Sequence, residues 1–271
     1  PFLEQFNNTM ARVVTANKTY ILNAADKYNP AYLIPYDVVN NEAFLVDKDN
    51  GGWITLTDDK DMYENVVSIF SEITPEGLMK GDATVYSSSY SKNPRVKKWK
   101  EDKNSFKDYF SKSFTGVTIA DLVVNNEDVD TLALEQKFDF TLPVNASGEY
   151  EYFPINLFAG LEKNPFIADE RRTDIDFGYK QSYTLAAKIY IPDGYEFDEL
   201  PKNMKMIMPD TSIVFQRMMQ ADSNSVDLRI TLNFSRPVYN VDVYPIFHEF
   251  YKKLFATLNE QLVIKKKKAT P

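Results

Sequence analysis

Alternation of apolar and polar positions dominates this chain. Between residues 131 and 142, Leu132, Leu134, Phe138, Phe140 and Leu142 point one way, while Thr131, Glu135, Lys137, Asp139 and Thr141 point the other. That is the pattern of an antiparallel strand with one covered side and one wet side. Tyr183, Leu185, Ala187, Ile189 and Ile191 make a second inward face, closed by the turn Pro192-Asp193-Gly194. Met204, Met206 and Met208 repeat the period, residues 213–219 follow, and Val226, Leu228, Ile230, Leu232 and Phe234 give a further strand. Residues 62–73 and 78–89, divided by Thr74-Pro75-Glu76-Gly77, predict a long hairpin. Residues 150–157 predict a strand interrupted by Pro154, and 262–264 a short final one. Two stretches switch to helical spacing. After Pro94, Val96, Trp99, Lys103, Phe106 and Phe110 form one stripe, with a lysine-dense opposite face. Tyr244, Phe247, Tyr251, Leu254, Phe255 and Leu258 form the other, with Asp242 as N-cap and Pro245 tolerated in the first turn. The sum is a mainly β, α+β fold: an antiparallel β-sandwich-like domain with two packed helices.

The first 57 residues read differently. Two apolar runs, 9–14 and 19–22, flank Thr15-Ala16-Asn17-Lys18 and predict a β-hairpin. With the turn centred between Thr15 and Ala16, Asn8 and Asn23 face each other, their Cβ atoms about 5 Å apart. A proline-bracketed connection follows, then short strands at 43–46 and 53–56 around Asp47-Lys48-Asp49-Asn50-Gly51-Gly52, then the acidic cluster Asp58, Asp59 and Asp61. The turn signals and charges place a domain boundary here, dividing the chain into 1–57 and 58–271.

Phe6-Asn7-Asn8, Lys18-Thr19-Tyr20-Ile21-Leu22-Asn23-Ala24-Ala25-Asp26, Tyr28, Pro30 and Leu33-Ile34-Pro35 resemble the end of the catalytic core in exported bacterial transglutaminase-like, cysteine peptidase-like proteins of the Cys-His-Asp kind. That family carries F-N-H on one strand and K-T-Y-x-L-D-A-T-D on the next. Asn8 stands where the family has its histidine and Asn23 where it has its aspartate. Downstream, Asp176-Phe177-Gly178-Tyr179, Ile191-Pro192-Asp193-Gly194-Tyr195, Glu199-Leu200-Pro201, Tyr244-Pro245, Phe250-Tyr251 and the stretch from Asn259 to Lys266 resemble the C-terminal domain of unknown function that follows such cores. The resemblance implies an exported, periplasmic or cell-envelope protein whose partner is an upstream transglutaminase-like domain of the same polypeptide. The chain opens at Pro1 inside a motif, so any signal peptide or lipid attachment site is expected upstream.

Composition narrows the chemistry. Tyrosine and phenylalanine supply 36 of 38 aromatic residues, which favours strands. A net charge of −8 with dispersed acids opposes nucleic-acid binding. No apolar run approaches the roughly 20 residues of a membrane-spanning helix. There is no cysteine, so these residues hold no disulfide, thiolate metal site or Cys nucleophile. Asparagine can orient a catalytic histidine, so Asn23 alone would not end catalysis; Asn8 would, because an amide is no base near neutral pH. Two readings stay open: a degenerate site that still binds a ligand, or a structural hairpin in which Asn8 and Asn23 bond each other.

Other candidates are weaker. His248, the only histidine, has no nucleophile suggested beside it. The loop 47–52 departs from a calcium loop at its fifth and twelfth positions, Gly51 and Asp58, and lacks flanking helices. Asp58/Asp59 and Asp169/Glu170 are sequence neighbours, which does not place them across a cleft as glycoside hydrolysis requires. The Lys265–Lys268 tail reads as solvated. Trp99 fits its buried stripe, whereas Trp53 stands free as a candidate for a glycan or peptide ligand. No cofactor or metal is implied. The expected role is a non-catalytic accessory or interaction module, a pseudoenzyme remnant; the alternatives are a carbohydrate- or peptide-binding domain with exposed aromatics, or part of an active enzyme whose nucleophile lies upstream.

Overall fold

The computed structural model describes residues 6, 8–16 and 18–267; Pro1, Asn7, Asn17 and Lys268, named above, lie outside them. Two small hairpins come first: β1 (Ala11–Val14) with β2 (Thr19–Leu22), and β3 (Glu42–Leu45) with β4 (Gly52–Thr55). The long hairpin of β5 (Met62–Thr74) and β6 (Leu78–Ser89) leads into three short helices, α1 (Lys92–Glu101), α2 (Lys103–Phe106) and α3 (Asp108–Ser111), and then a hairpin of β7 (Thr118–Asn125) and β8 (Leu134–Pro143). There follow β9 (Asn145–Ser147), β10 (Tyr150–Pro154), β11 (Ile175–Asp176), β12 (Lys180–Tyr190), β13 (Tyr195–Glu199), β14 (Met204–Ile207), β15 (Ile213–Ala221), β16 (Ser225–Phe234) and β17 (Val238–Tyr239). The long helix α4 (Tyr244–Leu258) and β18 (Gln261–Lys266) complete the order.

Eight strands form one sheet in the order β14-β15-β16-β12-β5-β6-β8-β7. Each half is antiparallel, but β5 and β12 join the halves in parallel, so the sheet is mixed rather than wholly antiparallel. Its alternation is one-sided. Val67, Ile69 and Ile73 of β5, Leu185 and Ile189 of β12, and Val226 to Phe234 of β16 turn alternate side chains inward, while Phe70 and Met218 are left on the wet face. Helices α1–α3 cover one half of the inner face, with Phe110 against Phe138 at 4.4 Å between ring centroids. Helix α4 covers the other, its Phe247 and Tyr251 packing edge-on to Phe166 and Tyr251 reaching Phe234. A second sheet, β13-β18-β10-β9, adds Phe153, Leu262 and Ile264 to the same core. The mainly β, α+β class expected from the pattern is what is observed.

Four local expectations are corrected. The helix expected through Phe110 is broken at Asp102, whose extended backbone (φ −152°) ends α1 and whose carboxylate accepts the amides of Asn104 and Ser105 to start α2. Leu132 is exposed rather than inward, because β8 begins only at Leu134. The preceding loop is gathered by Lys92, whose buried Nζ donates to the carbonyls of Asn126, Val129 and Leu132 at 2.7 to 2.8 Å. Asp242 does not cap α4; a 3₁₀ turn over Val241–Val243 carries it, and Pro245 sits in the first helical turn. Lys265 is not free in solvent but donates to Asp198 at 2.6 Å from within β18.

Candidate functional site

The opening hairpin turns later than its pattern suggested. The Thr15 amide and hydroxyl both donate to the Lys18 carbonyl, at 2.9 and 2.8 Å, and Val14 pairs with Thr19 and Ala11 with Leu22. In that register the position opposite Asn23 is Met10, not Asn8, and the chain turns away at Ala24 and Ala25. The expected facing of Asn8 and Asn23 is therefore corrected. The two-residue slip follows from Thr15 closing on Lys18 instead of serving as a central turn residue. Each asparagine is engaged elsewhere: Asn8 Nδ2 donates to Asp37 Oδ2 at 3.3 Å, and Asn23 Oδ1 accepts the Ala25 amide at 3.0 Å in an Asx turn. They form neither a shared site nor a mutual hydrogen bond.

The rest of the opening region is fastened to the segments that flank the large sheet. Leu33, Val39 and Leu56 are buried. Asn40, held at φ +63°, donates from Nδ2 to Asp176 Oδ1 and to the Gly178 carbonyl at 3.1 and 3.0 Å. Tyr32 donates to the Asp130 carbonyl, Asn93 to Asn29, and Lys180 to the Asp59 carbonyl. The acidic cluster of the sequence is part of this junction: Asp58 Oδ1 accepts the Lys60 and Asp61 amides, and its Oδ2 accepts the Tyr90 hydroxyl at 2.8 Å. Ser89 donates to Asp61. Burial and the neighbouring Asp58 push the Asp61 carboxyl above its ordinary value. Tyr90 stacks on Tyr179 at 4.6 Å, Tyr179 on Tyr63 at 5.7 Å, and Tyr63 meets Tyr183 at 5.4 Å, a column of phenol rings leading into the sheet. Burial pushes Tyr179 up to about 12 and Tyr90 higher still, with the Asp58 hydrogen bond adding to the latter.

Trp53 is 55% exposed and does not stand alone. Phe44, its cross-strand partner, meets it edge-on at 5.4 Å, and Phe6 lies 6.0 Å from Trp53 and 6.4 Å from Phe44. Phe44 and Phe6 were missed in the sequence. For Phe44 the expected turn at Asp47–Gly52 hid the signal, since it mirrors Phe44 onto Thr55; the observed loop 46–51 pairs Phe44 with Trp53. Trp99 lies half-buried with the Lys103 ammonium 4.8 Å over its ring. His248 sits on α4 with its ring 5.8 Å from that of Tyr244. Asp169 and Glu170 are exposed. Among the described residues no group of three or more His, Asp or Glu side chains is placed to hold a metal, and no helix is long and apolar enough to cross a membrane.

Residues 149–264 match a family described as a domain of unknown function with a solved structure, DUF3858. The matched segment runs from the start of β10 almost to the end of β18, and so takes in α4 and the β12 to β14 side of the large sheet. A crystal structure of a "putative protease" from Parabacteroides distasonis is similar at a TM-score of 0.38 and 9% identity, over 44% of this chain and 24% of that one. The chain thus spans about a quarter of that protein's length. No curated protein matches the chain.

Proposed function

We propose that residues 1–57 are the end of a transglutaminase-like core and residues 58–271 an accessory domain that holds it, in an exported protein of the cell envelope, and that this chain is without catalysis of its own. The observation that carries the reading is the separate engagement of Asn8 by Asp37 and Asn23 by its own Asx turn. An amide in the histidine position takes no proton from a thiol, and an orienting residue that faces elsewhere fixes no tautomer. What remains is positional work, and the hydrogen bonds of Asn40 to Asp176, Tyr32 to the Asp130 carbonyl and Asn93 to Asn29 support it by tying residues 1–57 to the segments that flank the sheet. The partner is then the upstream transglutaminase-like domain of the same polypeptide. The test is an amidase and transamidase assay on the full-length parent and its Asn8→His variant. The unsubstituted parent is not expected to turn over substrate, and the variant, whose imidazole would replace the amide that meets Asp37, is the comparison. Cysteine-dependent turnover by the unsubstituted parent would overturn the reading.

The clustering of Phe6, Phe44 and Trp53 supports a second reading, a glycan- or peptide-binding face. Trp53 fluorescence during titration with cell-wall oligosaccharides and with peptides tests it, and a signal unchanged in every titration refutes it.

A further inference from the structure

A polar row crosses the otherwise apolar inner face of the large sheet. Ser87 on β6 pairs with Asn65 on β5, which pairs with Tyr183 on β12, and Gln136 of β8 lies beside Ser87. Asn65, Ser87 and Gln136 are all at most 1% exposed. They form one chain of hydrogen bonds: Asn65 Nδ2 to the Ala159 carbonyl at 3.2 Å, Ser87 Oγ to Asn65 Oδ1 at 3.2 Å, and Gln136 Nε2 to Ser87 Oγ and to the Val85 carbonyl, both at 3.1 Å. The last acceptor, Gln136 Oε1, takes a hydrogen bond from Arg95 Nη1 at 2.8 Å. Arg95 comes down from α1 and is 6% exposed, with its guanidinium 5.2 Å from the Tyr109 ring and 5.7 Å from that of Phe110.

The fold contains a second buried arginine for comparison. Arg217 makes four side-chain hydrogen bonds, one of them to the carboxylate of Glu260. Arg95 makes one, to a neutral amide, and no carboxylate among the described residues lies within ion-pair distance of it. A guanidinium carries five N–H donors in a planar fork, and a buried charge without a counter-ion is costly. Its Nε and Nη2 are not among the polar atoms sealed from solvent without a partner, so they remain open to a ligand. We propose that Arg95 is the anchor of a binding site for a carboxylate monoanion, set between α1–α3 and the β5/β12 seam.

The surroundings fit that charge and shape. The fork matches a carboxylate with two parallel hydrogen bonds, and Tyr109 and Phe110 hold its plane. Gln136 is fixed by its own bonds and presents only its oxygen to the arginine, so it steadies the fork without neutralising it. Tyr183 lies close enough to feel the Arg95 charge, but its hydroxyl donates to Gln181 Oε1 at 3.0 Å, and burial pushes the phenol well above its ordinary value, so it adds no competing negative charge. Glu162 adds negative charge on the Tyr183 side, which opposes a dianion such as phosphate more than a monoanion.

The carboxylate could belong to a small free acid or to a peptide C-terminus, and one titration series separates them. The full chain is titrated at constant ionic strength with acetate, N-acetyl-alanine, acetamide and inorganic phosphate, each to roughly 100 mM, with Tm as readout, because a ligand of the folded state raises Tm with its concentration. Acetate and N-acetyl-alanine are expected to raise Tm and acetamide to leave it unchanged. Tighter binding of N-acetyl-alanine assigns a peptide terminus; equal binding assigns a small acid. Arg95→Met should abolish the ligand-dependent shift. Should that variant not fold, Arg95→Lys, which keeps the charge but not the fork, is expected to weaken binding about tenfold. No shift from either carboxylate, an equal shift from phosphate, or a shift unchanged in both arginine variants would overturn the assignment.

Discussion

Replacing Arg217 by methionine tests how the C-terminal half of the protein is held together. This side chain rises from β15, is 1% exposed, and reaches the end of α4. Its Nε and Nη2 donate to the Lys202 carbonyl at 3.1 and 2.8 Å, its Nη1 to the Thr257 carbonyl at 2.7 Å, and its Nη2 also to Glu260 at 2.6 Å. Three of the four bonds therefore go to backbone oxygens, one of them in the last turn of the helix, where a cation also suits the dipole. Each charged hydrogen bond is worth about 1.5–3 kcal/mol by deletion, though such values do not add. Glu260 is 44% exposed, so its ion pair is screened and counts for under about 1 kcal/mol. Arg217→Met is then expected to cost about 3–5 kcal/mol, and Glu260→Gln under about 1 kcal/mol. Urea denaturation followed by circular dichroism measures both as shifts in midpoint at constant slope. A loss below about 1 kcal/mol for Arg217→Met, or equal losses for the two variants, would refute the claim that the carbonyls rather than the ion pair carry the stabilisation.

Asn40→Ala removes two hydrogen bonds and places alanine at φ +63°, so it should cost about 2–3 kcal/mol. Asn40→Gly, which relieves only the backbone strain, should cost about 1 kcal/mol less, and amide exchange within residues 33–40 should quicken in both. Gly81→Ala is expected to cost about 3 kcal/mol, because a Cβ there would lie 2.6 Å from Ser71 Cβ and closer still to the Phe70 carbonyl oxygen; a thermal midpoint within a degree of the parent chain's contradicts this. Asp61→Asn should stabilise. The folded carboxyl holds its proton more tightly than the unfolded one, so its charged form is a burden at neutral pH that disappears as pH falls below the unfolded value. The gain, up to about 0.5 kcal/mol after solvent screening, should be full at pH 7 and absent in the acid range; a gain that grows on acidification has the wrong sign.

The long hairpin of β5 and β6, the strands β12, β15 and β16, and the buried face of α4 were legible because each has one wet side, which writes its period directly into the sequence. The parallel joining of β5 to β12 was not, since nothing local marks a pairing between strands so far apart in the chain. Strand β7 escaped notice for a different reason. Its register shifts between Ala120 and Val123, with Asp121 at φ +50°, and that irregularity breaks the alternation. At the opening hairpin the motif located Asn8 and Asn23, but their facing hung on one turn residue, and a two-residue slip separated them. The polar row beneath Arg95 was invisible because Asn65, Ser87 and Gln136 read as interruptions of three separate strands. Only the sheet register makes them neighbours.

The seam between β5 and β12 also bears on where the chain can be divided. The segment matched by DUF3858 begins at residue 149, so it contains β12 but not the strand beside it. Detached from β5, the eleven residues of β12 would become an open template, a row of unpaired amides and carbonyls along a strand whose alternate side chains include Leu185 and Ile189. Such edges recruit further strands. In this chain β5 acts as the stopper on that edge, and any protein that carries the matched segment in another setting needs a substitute for it.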